Sequence, residues 1–266
     1  VRKSEPASSS SALGLAPSLG KNPPARLAIV DIARGLAIAQ MVVYHFCYDL
    51  NHFGWVHWAM TRQPGWVVWR TAIVTQFLLL VGIALVLREQ PGAVAPRHPF
   101  TRRWWKIAFC AALVSAASAM IFGARWIWFG VLHFVVVAQL LVIPVRRLGI
   151  PNLALGAIAL LVGVTVEVPG FASNALSWIG FSPVKPLTED FVPVLPWLGV
   201  VLLGIGAGNL WRNSTGNFAQ SLRVVDGGRL AFAAWIGRWP LTIYMVHQPL
   251  LFGAFTLIQM TRGNIV

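Results

Sequence analysis

The sequence is poor in charge, and acids are its scarcest component: 8 Asp and Glu stand against 21 Lys and Arg in 266 residues, and the four types together make up 11% of the chain. A water-soluble domain carries roughly 25% charged residues, so an aqueous globular fold is excluded as the first reading. Cysteine is almost missing. Cys47 and Cys110 both lie inside apolar runs, which rules out a disulfide framework and a zinc site of the CxxC type and leaves the redox compartment undefined. The first 25 residues lack the apolar stretch of a signal peptide; Ser8 to Ser11 with Pro6, Pro17, Pro23 and Pro24 predict a disordered tail over 1–25. No internal repeat is visible.

What the chain has in abundance is apolar length, with 57% hydrophobic residues, 13 Trp and 15 Phe. Stretches free of Asp, Glu, Lys and Arg cover 107–124, 126–145, 148–166, 191–211 and 239–261, which are 18, 20, 19, 21 and 23 residues long. About 20 residues cross the hydrocarbon core as a helix. Two further runs are slightly impure: 28–50 contains Asp31, Arg34 and Asp49, and 66–87 contains Arg70. The pattern predicts an all-α integral membrane protein, a bundle of about seven transmembrane helices over 26–262. The runs are too long and too evenly apolar for barrel strands.

The basic residues sort by side. Fourteen of them (four in the tail, five around 88–106, Arg146, Arg147, Arg212, Arg223 and Arg229) fall on one side, and five (Arg62, Arg70, Arg125, Lys185 and Arg262) on the other. The richer side is predicted to be cytoplasmic, which puts the amino terminus inside and the carboxyl terminus outside. The excess is an orientation signal, and nucleic acid drops out as a partner. The outer segment 169–189 reads as an ordered or interfacial loop, and 230–237 as either an interfacial helix or the start of a tilted last span.

Ionisable groups inside a bilayer are expensive and are functional candidates by default. At about 100° and 1.5 Å per residue, Asp31, Arg34, His45 and Asp49 fall on one stripe of the first span, with His45 about 16 Å beyond Arg34. Asp49, one turn past His45, can accept a hydrogen bond from its ring and orient it. The stripe has three readings: interhelical glue with an Asp31–Arg34 ion pair, a metal site of His45 and Asp49 with His52 or His57, or a catalytic and substrate-handling row. His133 and His247 lie in apolar runs, with Pro249 set to kink the helix after His247. His98 belongs to the basic loop. Glu167, Glu189 and Asp190 stand at outer helix ends, and the Gly204-x-x-x-Gly208 pair suits close helix packing.

Asp31-Ile-Ala-Arg34-Gly-Leu-Ala-Ile38, Met41 and Tyr44-His-Phe-Cys-Tyr-Asp-Leu-Asn-His-Phe-Gly54 resemble the opening of bacterial members of the heparan-alpha-glucosaminide N-acetyltransferase catalytic-domain family. Phe129-Gly-Val-Leu-His133, Asp190-Phe-Val-Pro-Val-Leu-Pro-Trp197 and the block from Gly237-Arg238 to His247-Gln248-Pro249 are similar to its later blocks, so the resemblance spans about 26–259. The Arg34-x10-His45 spacing is also similar to that of related membrane acyltransferases that modify surface polysaccharides.

The resemblance implies transfer of an acyl group, typically acetyl, from cytoplasmic acyl-CoA to a sugar or glycan presented across a bacterial inner membrane. On that reading His45 is the base or acyl carrier and Asp49 orients it. Arg34, Asp31, Arg102 and Arg103, near Lys106, form the donor side, and His133, His247 and Asp190 the acceptor side; no metal is expected. One departure matters. In animal members an Asn stands where His45 stands, and their catalytic His falls by counting at Val56, next to His57, so the catalytic role is divided between His45 and His57. Expected partners are the lipid bilayer, acyl-CoA and the acceptor, with a homodimer as an open option. The rival reading is a transporter using Asp31, Arg34, His45 and Asp49 as a relay; a non-catalytic membrane scaffold is the third.

Overall fold

The computed structural model describes residues 28–87, 100–214 and 229–263. The expected tail over 1–25, and Arg88, Arg97, His98 and Arg223, lie outside the described residues. The described chain is helical throughout, without a strand; one isolated bridge pairs Phe129 with Phe191. Its helices are α1 (Ala28–His52), α2 (Pro64–Leu87), α3 (Phe100–Phe122), α4 (Val131–Leu141), α5 (Asn152–Thr165), the single turn α6 (Asn174–Ser177), α7 (Val194–Asn213), α8 (Arg229–Ile236) and α9 (Pro240–Thr261).

All seven apolar runs are helical, yet among the described residues only five helices, α1, α2, α3, α7 and α9, are long and apolar enough to cross a membrane. The 11 residues of α4 and the 14 of α5 extend about 16 and 21 Å, against a hydrocarbon core of about 30 Å. Local chemistry trims both. The residues before α4 are drawn off to meet 189–192, where Glu189 N–H donates to Arg125 O at 3.0 Å and Val192 N–H to Phe129 O at 3.3 Å. Pro144 disfavours helix at Ile143, so α4 stops at Leu141. Gly149 takes φ of 75° and Pro151 stands at the N-cap of α5, so the helix leaves out the first four residues of that run. Residues 230–237 are not the beginning of the last span but a separate helix, since the chain breaks at Gly237–Trp239 and restarts with Pro240.

Close helix crossings organise the bundle. α2 and α5 both pack on α7, over a core that includes Leu78, Phe134, Val142, Val201 and Ile205. At that crossing a Cβ on Gly82 would collide with Val201 O, and one on Gly204 with Leu79 O. Gly156 and Gly199 face each other in the same manner, each Cβ position 2.7 and 2.6 Å from the other's carbonyl oxygen. The Gly204–Gly208 pair therefore does serve packing, against α2. α1 meets α8 through Gly35 against Ala233 O and Gly237 against Asp31 O, which makes the two helices antiparallel. α1 and α2 form a hairpin whose register is marked by Gln40 and Gln76, hydrogen-bonded at 2.9 Å.

The outward faces are apolar. Phe109, Met120, Val164 and Leu257 are 69%, 88%, 67% and 65% exposed. In water these surfaces would be an aggregation liability, whereas in lipid they are matched to their solvent. Together with five helices of spanning length, they make the protein a multi-pass membrane protein.

Candidate active site

The polar stripe of α1 faces α8 and α9 along its whole length. Near its start, Arg34 Nη1 donates to Asp31 Oδ1 at 2.8 Å and to Gly237 O at 3.2 Å, so the i, i+3 pair also fastens the α8–α9 corner. Three turns on, His45 lies against His247 of α9, ring centroids 5.0 Å apart and planes at 63°. One turn further, Asp49 Oδ1 accepts a hydrogen bond from Gln248 Nε2 at 2.8 Å, and beyond the helix Phe53 O accepts one from Gln259 Nε2 at 3.0 Å. Because 45, 49 and 53 on one chain segment meet 247, 248 and 259 on the other, α9 runs parallel to α1. The single stripe expected from helical geometry is thus the α1–α9 seam.

Asp49 does not bond His45. Its side chain is fully buried, and its carboxylate turns to Gln248 because that amide reaches it from α9. His247 has a defined tautomer: Nδ1 lies 2.8 Å from Tyr244 O and 3.1 Å from Ile243 O, and only a protonated nitrogen can donate there. Its Nε2 therefore carries the lone pair of the neutral ring. Among the described residues, His247 Nε2, His45 Nδ1, Asp49 Oδ2 and Gln248 Oε1 are buried without a hydrogen-bond partner. Four such atoms on facing turns of two helices are unusual, since buried polar groups are almost always paired. The two rings are also edged by Tyr44 and Tyr244, with centroids 6.1 Å from His45 and 5.9 Å from His247.

The outer ends carry a second polar layer built on Glu189 and Asp190, the acids already marked in the sequence, with partners that the sequence did not indicate. Glu189 accepts the phenolic hydrogen of Tyr48 and pairs with Arg125 Nε at 3.2 Å, tying α1 to the ends of α3 and α7. Beside it Asp190 Oδ2 accepts the Val131 N–H at 2.8 Å, where an acid also complements the positive end of α4. Burial raises the Asp190 carboxyl above its usual 3.8; the Val131 N–H, Lys185, Arg70 and the Phe191 N–H pull it back in part. Burial lowers Lys185, as does Arg70, while Asp190 and Glu189 oppose the shift. Arg70, Lys185, Glu189 and Asp190 thus form one electrostatic group above the histidine pair. The only hints in sequence were the adjacent acids and Arg125, which separates two apolar runs.

The remaining expected residues fall elsewhere. His57 is exposed in the connection between α1 and α2. His133 is committed at both nitrogens: Nδ1 accepts the Gly130 N–H at 3.3 Å, and Nε2 lies 3.0 Å from Ser115 Oγ, which donates to Ile127 O at 2.6 Å. It joins α3 to the start of α4. Arg102, Arg103 and Lys106 are exposed on the first two turns of α3, a helix that packs on α4 and α9, whereas Arg34 faces α8. Among the described residues no group of three His, Cys, Asp or Glu side chains stands together as metal ligands.

The family model described as heparan-alpha-glucosaminide N-acetyltransferase, catalytic, matches residues 26–249. No curated protein and no solved structure matches the chain.

Proposed function

Since the chain belongs to the heparan-alpha-glucosaminide N-acetyltransferase catalytic family, whose model spans most of its length, we propose that it is a membrane acyltransferase moving acetyl or another acyl group from acyl-CoA at the inner face to a sugar or glycan at the outer face. The observation that carries the proposal is the facing pair of His45 and His247, with buried and unpartnered nitrogens, beside the Asp49–Gln248 pair. An acceptor hydroxyl or amine must lose a proton to become acylated, and the departing thiolate must gain one. A neutral imidazole whose lone pair is not engaged by the protein can take the proton or carry the acyl group. His247 presents such a lone pair at Nε2 and has its other nitrogen locked to backbone carbonyls. His45 is the leading base beside it, and Asp49 holds Gln248, the residue after His247, without touching the imidazole. The surrounding helices keep bulk water away from a thioester that would otherwise hydrolyse.

On the donor side, Arg34 uses Nη1 for both of its contacts. A guanidinium has five N–H donors, so its fork keeps donors for a phosphate while Asp31 fixes its direction. Arg102 and Arg103 supply further positive charge at α3. On the acceptor side, the group of Arg70, Lys185, Glu189 and Asp190 suits a hydroxyl-rich ligand, because it offers both donors and acceptors. The location that follows is a bacterial inner membrane with the amino terminus inside. Among the described residues no contact favours a transport relay: Asp31 and Arg34 are paired with each other, and Arg34 also with the Gly237 carbonyl at a helix corner.

The deciding experiment follows thiol release from acetyl-CoA by the purified protein with glycan acceptors, and uptake of labelled acetyl into the acceptor. His45→Asn, close in size and still polar, should cut transfer by at least about 100-fold while the protein stays folded in detergent. His247→Asn should do likewise. Full transfer by both variants overturns the histidine site; uptake of solute into liposomes with no transfer chemistry would replace the enzyme with the transporter.

A further inference from the structure

A cavity of about 220 Å3 lies where α2, α4 and α7 end, lined by Leu85, Val86, Arg146, Arg147, Asn209 and Arg212. It is remote from the histidine pair. By the Gln40–Gln76 register, Leu85 and Val86 sit at the depth of Asp31 or Val30, about 20 Å along α1 from His45. Three of its six lining residues are guanidinium cations and none is an acid. A small space walled by three guanidinium groups is electrostatically favourable for an anion.

Two buried amides shape this end of the bundle. Asn152, fully buried, donates from Nδ2 to Val145 O at 3.0 Å and to Gly149 O at 2.9 Å, which fixes the turn bearing Arg146 and Arg147. Asn209, 3% exposed, donates to Ile205 O at 2.9 Å and accepts from Arg212 Nη2 at 2.6 Å. Asn209 thus holds the Arg212 side chain directly, and Asn152 holds the backbone of the turn that carries Arg146 and Arg147. The volume is below the roughly 300 Å3 of a pocket for a whole small molecule, so it suits one end of a larger one. Guanidinium forks match phosphate oxygens in pairs, and Leu85 with Val86 supplies an apolar wall for the carbon attached to the phosphate.

We propose that this cavity is a phosphate site, separate from Arg34, that takes the phosphorylated end of an organic phosphate ester. Two sources share this chemistry: the phosphates of coenzyme A, which rests on the acyltransferase reading, and the head group of an anionic phospholipid, which does not. The site is tested on the full chain. In detergent, binding of coenzyme A, dephospho-coenzyme A and inorganic pyrophosphate is measured by titration. In nanodiscs, thermal stability is compared between phosphatidylcholine alone and phosphatidylcholine with phosphatidylglycerol. Arg147→Gln, an exposed position, and the Arg146→Gln/Arg212→Gln double variant are run beside the parent protein.

For coenzyme A as the source, each lost guanidinium should weaken binding about tenfold, the cost of one charge-assisted hydrogen bond, and raised salt should weaken it further. For a lipid source, the variants should lose the stabilisation given by phosphatidylglycerol and keep their affinity for coenzyme A. Unchanged coenzyme A affinity together with unchanged lipid response in folded Arg147→Gln and in the double variant overturns the site. His45→Asn separates the two hypotheses: it should abolish transfer and leave every phosphate titration intact, whichever way the cavity variants behave.

Discussion

A substitution at His57 and one at His45 should not behave alike. His45 is enclosed by His247, Tyr44 and the seam residues, while His57 is exposed in the α1–α2 connection. With chemistry at the seam, His57→Ala should retain transfer within about threefold, against the drop of about 100-fold or more at His45; loss at His57 alone would move the reaction to the outer connection. Asp190 gives a different signal. Burial raises its carboxyl, so the folded protein holds a proton that the unfolded chain has released. The resulting contribution is fully present below the unfolded value of 3.8 and is lost as pH rises through the higher folded value. Asp190→Asn, which keeps an acceptor for the Val131 N–H, should therefore flatten the fall in thermal stability over that window; an unaltered slope assigns it to another group. The α1 stripe could be read from sequence because helical spacing alone sets which residues share a face. Gln248 as the partner of Asp49, and Glu189 as the partner of Tyr48, could not, since tertiary packing brings together residues 199 and 141 positions apart.

The helices differ in how far sequence defines them. The five charge-free runs and the two slightly impure ones locate the seven apolar helices, but run length overstates α4 and α5, because Pro144, Gly149 and Pro151 act on the backbone without adding charge. The break at Gly237 was ambiguous for the opposite reason. A glycine followed two residues later by Trp239-Pro240 is compatible with a kink or a corner, and the contact with α1 decides it. At that corner a Cβ on Gly237 would meet Asp31 O, and at Gly35 it would meet Ala233 O. Both obstacles are backbone, so Gly237→Ala should lower stability by about 1 to 3 kcal/mol through overpacking. It should also reduce transfer, since Asp31 and Arg34 are fixed there. Gly253, within α9 and with nothing within 4 Å of its Cβ position, is the control: Gly253→Ala should be neutral or stabilising by up to about 1 kcal/mol. Equal melting temperatures for the two variants in detergent would remove the close crossing as a stability determinant.

For the molecule as a whole, the number of crossings turns on α4 and α5. Five long helices with α4 and α5 re-entering from one side give an odd number of crossings, and so do seven, so both arrangements predict a carboxyl terminus opposite the amino terminus. A reporter after Val266 tests orientation but cannot distinguish five from seven. Arg147 can. It lies in the turn between α4 and α5, and in a seven-span arrangement that turn emerges on the inner surface. In a re-entrant arrangement Arg146 and Arg147 would stop inside the hydrocarbon, where a translocon-scale cost of about 2.5 to 3.5 kcal/mol falls on each. Arg146 and Arg147 line one cavity with Leu85 and Val86, at the end of α2. Full crossing, with modest thinning of the bilayer around two short helices, is the less costly arrangement. A single cysteine at Arg147→Cys, with Cys47 and Cys110 replaced by serine, should then react with a membrane-impermeant maleimide only from the cytoplasmic side, and a reporter after Val266 should read external. Labelling of that cysteine from the outer side, or from neither, would mean that α4 and α5 re-enter, reduce the crossings to five and withdraw the arginine cavity from the inner surface.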